Sequence, residues 1–411
     1  MRQSKYLFII LLFEIIATHG LNYVGWDYTV GGKVEKIIDL LFLISLITIF
    51  PEIRKCRFYG IVLTLTFMPF LSVYNSWTNY GQSPFESCMV TINNFIWLIY
   101  FYLGKYKVRE YTIFQSFFVM AFAILVIQII QQFTYPSAWF GLASEEMMLE
   151  NGGFKGEVAE VRNGLWRFRM HMNGYFTAPI VFALLVWLKK KMNSGKLLVF
   201  VLLLISIYLS LTRQVMFSMI LTIFLSFFIG DGKYNYRFLL LGSLFILGLY
   251  FLYDLLFLEL SKDTIEQADD ANIRLLAATY YLLDCLKTPF TLLLGYGDAG
   301  SSGSFHNYVE MLNLQYGFFT DDVGFVGKMW QYGLFYVIIC YYLLYIIFFR
   351  YKHIIPYYIR LFVLFTAFMS PMIYPFQSVE TNLIWAMLLY VCDLHIRKSP
   401  LRMKSTSLLS H

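Results

Sequence analysis

The sequence predicts an all-α polytopic membrane protein of about twelve transmembrane helices, and three observations predict it. Hydrophobic residues fill 59% of the 411 positions and charged residues only 14%, a balance that excludes a water-soluble globule and a disordered chain alike. Apolar runs near twenty residues long recur from end to end, each enough to cross about 30 Å of hydrocarbon. The net charge of +6 is dispersed in short clusters between those runs, a pattern that orients a membrane protein and does not signal nucleic acid.

The first span, at about 6–22, follows Arg2 and Lys5 as the core of a signal peptide would. It carries Glu14 and lacks a small-residue cleavage site, so it reads as a retained signal anchor. Spans at about 37–53, 58–74, 86–104 and 111–133 come next, followed by a long connection at 134–174. Spans at about 175–188, 197–212, 214–229 and 237–257 precede a second long connection, 258–320. The last three are expected at about 322–349, 356–374 and 379–395. Cations gather at alternate connections, as in Arg54-Lys55-Cys-Arg57, Lys105 to Arg109, Lys189 to Lys196, Arg350 to Arg360 and Arg397 to Lys404, while the acids gather at the others. By the positive-inside rule both termini are cytoplasmic and both long loops lie outside. The whole chain, 1–411, is then a single integral membrane domain. Within the second loop, Ile273 to Leu286 reads as an amphipathic helix at the outer interface, introduced by Asp269, Asp270 and Asn272 and closed before Pro289.

This distribution limits the chemistry. The cytoplasmic connections are too short for the sheet and helices of a nucleotide site, so chemistry belongs on the outer face, where ATP is absent. A substrate there must arrive activated, and a lipid diphosphate is the usual form. The five cysteines show no paired spacing, and no His/Cys/Asp/Glu motif for a metal is present, so neither a disulfide framework nor a metal or other cofactor is expected.

Several residues stand out, each with two readings. Gly295-Tyr-Gly297-Asp-Ala-Gly300 matches the dinucleotide pattern letter for letter, but an apolar helical stretch precedes it and Ser-Ser-Gly-Ser follows. It reads as a flexible loop end, usable as a gate. Arg213, in Ser210-Leu-Thr-Arg213, sits on a tight turn at the outer membrane end, as a snorkelling anchor or as a guanidinium that clamps a diphosphate. Arg274 either pairs with Asp263, Glu266, Asp269 or Asp270, or supplies a second phosphate-binding cation. His306, in a loop, is either solvated or a general base for a sugar hydroxyl. Arg162, Arg167 and Arg169 with Trp166 between them suit a solvated surface or an anionic, sugar-bearing ligand. Asp321 and Asp322 cap the tenth span or face substrate, and Asp321, Gly324 and Lys328 are spaced to share one helical face. Glu14 is a packed polar contact or a relay carboxylate.

Together, Ser210-Leu-Thr-Arg213, Gly174-Tyr-Phe176-Thr-Ala-Pro179, Leu294-Gly295-Tyr-Gly297, His306-Asn307, Thr320-Asp321-Asp322-Val-Gly324 and Tyr332-Gly333 resemble the O-antigen polymerase and O-antigen ligase superfamily over roughly residues 160 to 345. The resemblance implies a bacterial inner-membrane glycosyltransferase of the C type, metal-independent, working on undecaprenyl diphosphate-linked oligosaccharide at the periplasmic face. It implies that Arg213 and Arg274 hold the diphosphate while His306 lies at the acceptor. It also leaves room for a chain-length regulator protein as a partner. The Asp-Val-Gly step resembles the polymerase branch. Eleven residues separate Arg162 from Gly174, where some polymerases space such a pair by ten, so the role of the first long loop stays open. A ligase that moves glycan to lipid A core and a flippase for the lipid-linked unit are the alternatives.

Overall fold

The computed structural model describes residues 2–23, 36–41, 43–44, 53, 55–135, 137, 139–140, 159–162, 164–168, 174–227, 268–376 and 378–399. These residues are mostly helical. In chain order they form α1 (Arg2–Ala17), α2 (Tyr59–Phe67), α3 (Val73–Tyr80), α4 (Pro84–Thr91), α5 (Ile99–Tyr106) and α6 (Glu110–Thr134). A two-stranded hairpin follows, β1 (Ala159–Arg162) and β2 (Leu165–Phe168), then α7 (Thr177–Lys190), α8 (Ser194–Leu209) and α9 (Arg213–Ser226). The remainder is α10 (Ala268–Cys285), α11 (Pro289–Leu294), α12 (Gly303–Tyr316), α13 (Gly324–Tyr345), α14 (Tyr357–Met369) and α15 (Val379–Lys398).

Among the described residues, four stretches are long and apolar enough to cross a membrane: Pro84–Tyr106, Glu110–Thr134, Thr320–Arg350 and Val379–Lys398. Each coincides with a span expected from sequence. Helices α7, α8, α9 and α14 also lie where spans were expected, but they are shorter, and the 37–53 and 237–257 spans lie largely outside the described residues. Helix α1 stops at Ala17, well short of residue 22, because Gly20 and Leu21 take left-handed φ values of 63° and 60°.

The centre of the bundle is α15. Every side chain from Leu383 to Cys392 is buried, as expected for a helix apolar on all sides, which has no face to give to water. It packs on α5 and on the 3-10 stretch Ile92–Leu98. Near its C-terminal end Asp393 accepts hydrogen bonds from the Tyr100 hydroxyl at 3.1 Å, from the Arg57 backbone N–H at 3.2 Å and from Arg397. Its neighbour His395 meets the Glu110 carboxylate at 2.9 Å. Buried charge inside a bundle is stable only when paired in this way. Glu14 is buried against α6, where Ser116 donates to its carboxylate at 2.8 Å.

The hairpin at Ala159–Phe168 was not anticipated. Four cross-strand pairs, Ala159 with Phe168 through Arg162 with Leu165, define it. It is anchored to the end of α6 by Gln132, whose amide both donates to the Trp166 carbonyl at 2.6 Å and accepts from the Trp166 N–H at 2.9 Å.

Candidate functional site

The elements expected at the outer face pack around α13. That helix is interrupted. Gly333 has φ 84° and ψ 168°, a conformation open only to glycine. A Cβ there would stand 2.1 Å from the Leu293 carbonyl oxygen, so α11 and α13 approach backbone to backbone. At the kink, the Trp330 carbonyl accepts from the Tyr296 N–H at 2.7 Å, and the Gln331 carbonyl accepts from the Gly297 N–H at 2.6 Å. Irregular backbone inside a membrane helix is tolerated where such partners meet it.

The glycine-rich segment is therefore pinned, which corrects the expectation of a flexible gate. Asn75 donates to the Gly295 carbonyl at 2.7 Å and Ser76 to that of Tyr296. Gln82 donates to the Asp298 carbonyl at 3.0 Å while its own oxygen accepts from the Gly300 N–H at 2.7 Å. These clamps come from α3 and the turn before α4, whose spans had offered only topology at the sequence level. Glu86 lies so close that a Cβ on Gly300 would sit 1.9 Å from its carboxylate. No strand precedes the motif, since α11 does, so the dinucleotide reading fails as expected.

A helix, not a loop, follows it. His306 lies in the first turn of α12, with its side chain 39% exposed. Its Nδ1 is 3.0 Å from the Gly300 carbonyl. A carbonyl only accepts, so Nδ1 carries the proton, and in the neutral ring Nε2 holds the lone pair. Nε2 stands 3.8 Å from Glu310. An imidazole held through Nδ1 and half exposed, with Nε2 on the Glu310 side, keeps one ring nitrogen that can act as a general base.

Arg274 pairs with Asp322 at 4.0 Å, both about half exposed; the side chains of Asp263, Glu266, Asp269 and Asp270, its other expected partners, lie outside the described residues. Asp321 and Asp322 belong to a 3-10 turn, Thr320–Val323, and Gly324 has φ 54°. The helical face expected across Asp321, Gly324 and Lys328 is thus broken at Gly324, yet Asp321 and Asp298 are the carboxylates that bear electrostatically on Lys328. Lys328 is only 4% exposed, donates to Gln331 at 2.8 Å and lies 4.6 Å over the Tyr332 ring. The Tyr332 hydroxyl in turn donates to Asp298.

Helix α10 is fixed to α13 by Asp284, which no sequence motif marks. Its buried carboxylate accepts from the Trp330 indole N–H at 2.7 Å and pairs with Lys287. That pairing raises the Lys287 ammonium above its ordinary value, while burial pushes the neighbouring Cys285 thiol up to about 12 and keeps it inert. Asp284→Ala strands a buried donor and is expected to cost about 2–3 kcal/mol; Asp284→Asn, which keeps an acceptor, should recover most of it in thermal unfolding of the detergent-solubilised protein.

Arg213 occupies a second cluster. It opens α9 after Leu211, whose φ is 48°, and a cation at a helix N-terminus opposes the helix dipole. Gly174 abuts the same turn, where a Cβ would stand 2.6 Å from Val215. The Gly174-Tyr-Phe176 and Arg213 segments are thereby joined. Helix α9 packs on α14 whereas α10 packs on α13, so Arg213 and Arg274 stand on different helix pairs. Trp166 packs against Tyr135 with centroids 3.9 Å apart and the rings tilted by 35°. The side chains of Arg162 and Arg167, and all of Arg169, lie outside the described residues. Among the described residues no group of three His, Cys, Asp or Glu could hold a metal ion. In comparison with known proteins, no family model and no curated protein matches the chain.

Proposed function

We propose that the chain is a polysaccharide polymerase, transferring a growing glycan from undecaprenyl diphosphate to a hydroxyl of the next lipid-linked repeat at the periplasmic face of a bacterial inner membrane. One observation carries this reading. Gly295-Tyr-Gly297, His306, Asp321-Asp322 and Tyr332-Gly333, motif pieces scattered in sequence, pack into one cluster around the kink of α13. The reading includes twelve spans with both termini cytoplasmic.

In the reaction the acceptor oxygen attacks the anomeric carbon, the bond to the diphosphate breaks, and the departing diphosphate keeps the electron pair. Nε2 of His306 takes the acceptor proton. Arg213 and Arg274 stabilise the charge that develops on the leaving group. A flippase is favoured by a different observation: a buried lysine beside a broken span is also how transporters build a midplane site. A ligase would share the chemistry and differ in acceptor.

Purified protein reconstituted with undecaprenyl diphosphate-linked repeat unit alone should yield a ladder on a gel. Product that appears only on adding lipid A core would mean a ligase, and silence with the correct repeat would favour the flippase. Arg213→Ala is expected to lower ladder formation about 100-fold or more with its membrane level unchanged, and Arg213→Lys, which keeps the charge but loses the fork, should fall between. Equal loss of activity and of protein would make Arg213 an anchor.

A further inference from the structure

Away from the α13 cluster, an apolar groove of about 550 Å³ runs between α1, the helical residues 36–41 and α5. Ile10 and Phe13 of α1, Ile38, Leu41 and Leu103 line its walls. Ile9 borders the groove as well, and it also borders a second recess with Ser4, Lys5 and Phe8. The two recesses therefore meet at Ile9, one apolar and the other carrying a cation.

Two sets of contacts fix which helix ends come together. The Tyr6 and Tyr106 rings, both on the groove, lie with centroids 5.8 Å apart. The Gln3 side-chain oxygen accepts from the Arg109 backbone N–H at 3.4 Å and from the Thr112 hydroxyl at 3.1 Å. The start of α1 thus lies against the end of α5, which brings Lys5 to the same rim as Lys105, Lys107 and Arg109. Lys105 stands 5.7 Å over the Tyr106 ring, and Lys5, Lys107 and Arg109 are exposed. Among the described residues no acid lines either recess. Glu110, the next acid along the chain, is engaged by His395 and Tyr358.

Apolar walls hold no ordered water, so in hydrocarbon the occupant of such a groove is a lipid chain. The rim decides which lipid. Tyrosines at one level and cations just beyond them mark the depth of the headgroups, and each cation near the surface favours an anionic lipid by about fivefold.

We propose that this groove is a binding site for one anionic phospholipid, with an acyl chain between α1, residues 36–41 and α5 and the phosphate at the rim of Lys5, Lys105, Lys107 and Arg109. The site does not depend on the polymerase reading.

The delipidated full-length protein in detergent, titrated with phosphatidylglycerol and followed by native mass spectrometry, should bind one molecule saturably and at least about tenfold more tightly than phosphatidylcholine. Lys5→Gln and Lys105→Gln should each weaken that binding about fivefold, and raising the salt concentration should weaken it too. Ile9→Trp places bulk in the groove from a position that is already exposed, so it should abolish the saturable step and leave the thermal midpoint of the lipid-free protein unchanged. Should that variant misfold, the lysine variants decide alone. Equal binding of phosphatidylcholine, or undiminished affinity in both lysine variants, would overturn the anionic site. Phosphatidylglycerol that binds a folded Ile9→Trp protein as before would overturn the groove. Tighter binding of undecaprenyl phosphate than of phosphatidylglycerol would give the groove to a prenyl chain and overturn the phospholipid. None of these readouts uses the ladder, so failure here leaves the polymerase reading untouched.

Discussion

Gly333→Ala should prevent accumulation of folded protein. The added methyl would stand 2.1 Å from the Leu293 carbonyl oxygen in a backbone conformation that only glycine adopts. Relief requires α11 to leave α13, which breaks the Tyr296 and Gly297 hydrogen bonds to the kink. The expected loss exceeds about 4 kcal/mol, the range reserved for core failures. Gly303→Ala provides the contrast. Gly303 also has a left-handed φ, 91°, but nothing lies within 4 Å of its Cβ position, so that change costs only backbone strain of about 1–2 kcal/mol. Size-exclusion profiles of detergent extracts should show a monodisperse peak for Gly303→Ala and none for Gly333→Ala. Equal peaks would mean that the close approach is not needed.

The second large effect concerns chemistry. His306→Ala is expected to reduce ladder formation by about 100- to 10,000-fold, the usual contribution of a positioned general base. The informative variant is His306→Asn. Its amide N–H can replace Nδ1–H against the Gly300 carbonyl, now 3.0 Å away, while offering no basic nitrogen outward. If the imidazole only braces the loop, His306→Asn will work; if it takes a proton, both variants will be silent and both will be well folded.

The spans most legible in the sequence were those whose apolar run is long and uninterrupted, such as Glu110–Thr134 and Val379–Lys398. Hydropathy alone marks them, because nothing else can cross hydrocarbon. The site was legible only as separate pieces. Gly295 to Gly300 looked loose because glycine and serine lower any local expectation of order, and the clamps that hold it come from Asn75, Ser76 and Gln82, about 220 positions earlier. Periodicity carries no information about such pairs. His306 looked like a loop residue because Gly303 and its neighbouring serines disguise the start of α12. Arg274 was surrounded by acids in sequence whose side chains lie outside the described residues; among the described ones it pairs with Asp322, which a turn of the chain brings alongside. Lys328 was noticed for its spacing to Asp321, and the two do interact, but through a turn at Gly324 rather than along one helix.

The break in α13 also dictates an order of assembly. As the chain is made, residues 72–82 emerge first, the 289–300 segment much later, and the 324–345 helix last. The carbonyls of Trp330 and Gln331 find the Tyr296 and Gly297 N–H groups only after that segment has docked on α3. Until then a kinked helix would expose polar backbone to lipid, so insertion of α13 and docking of the 289–300 segment must occur as one cooperative event. A lesion at Asn75 would then surface as a biogenesis defect, with protease sensitivity appearing near Gly333 rather than near the substituted residue.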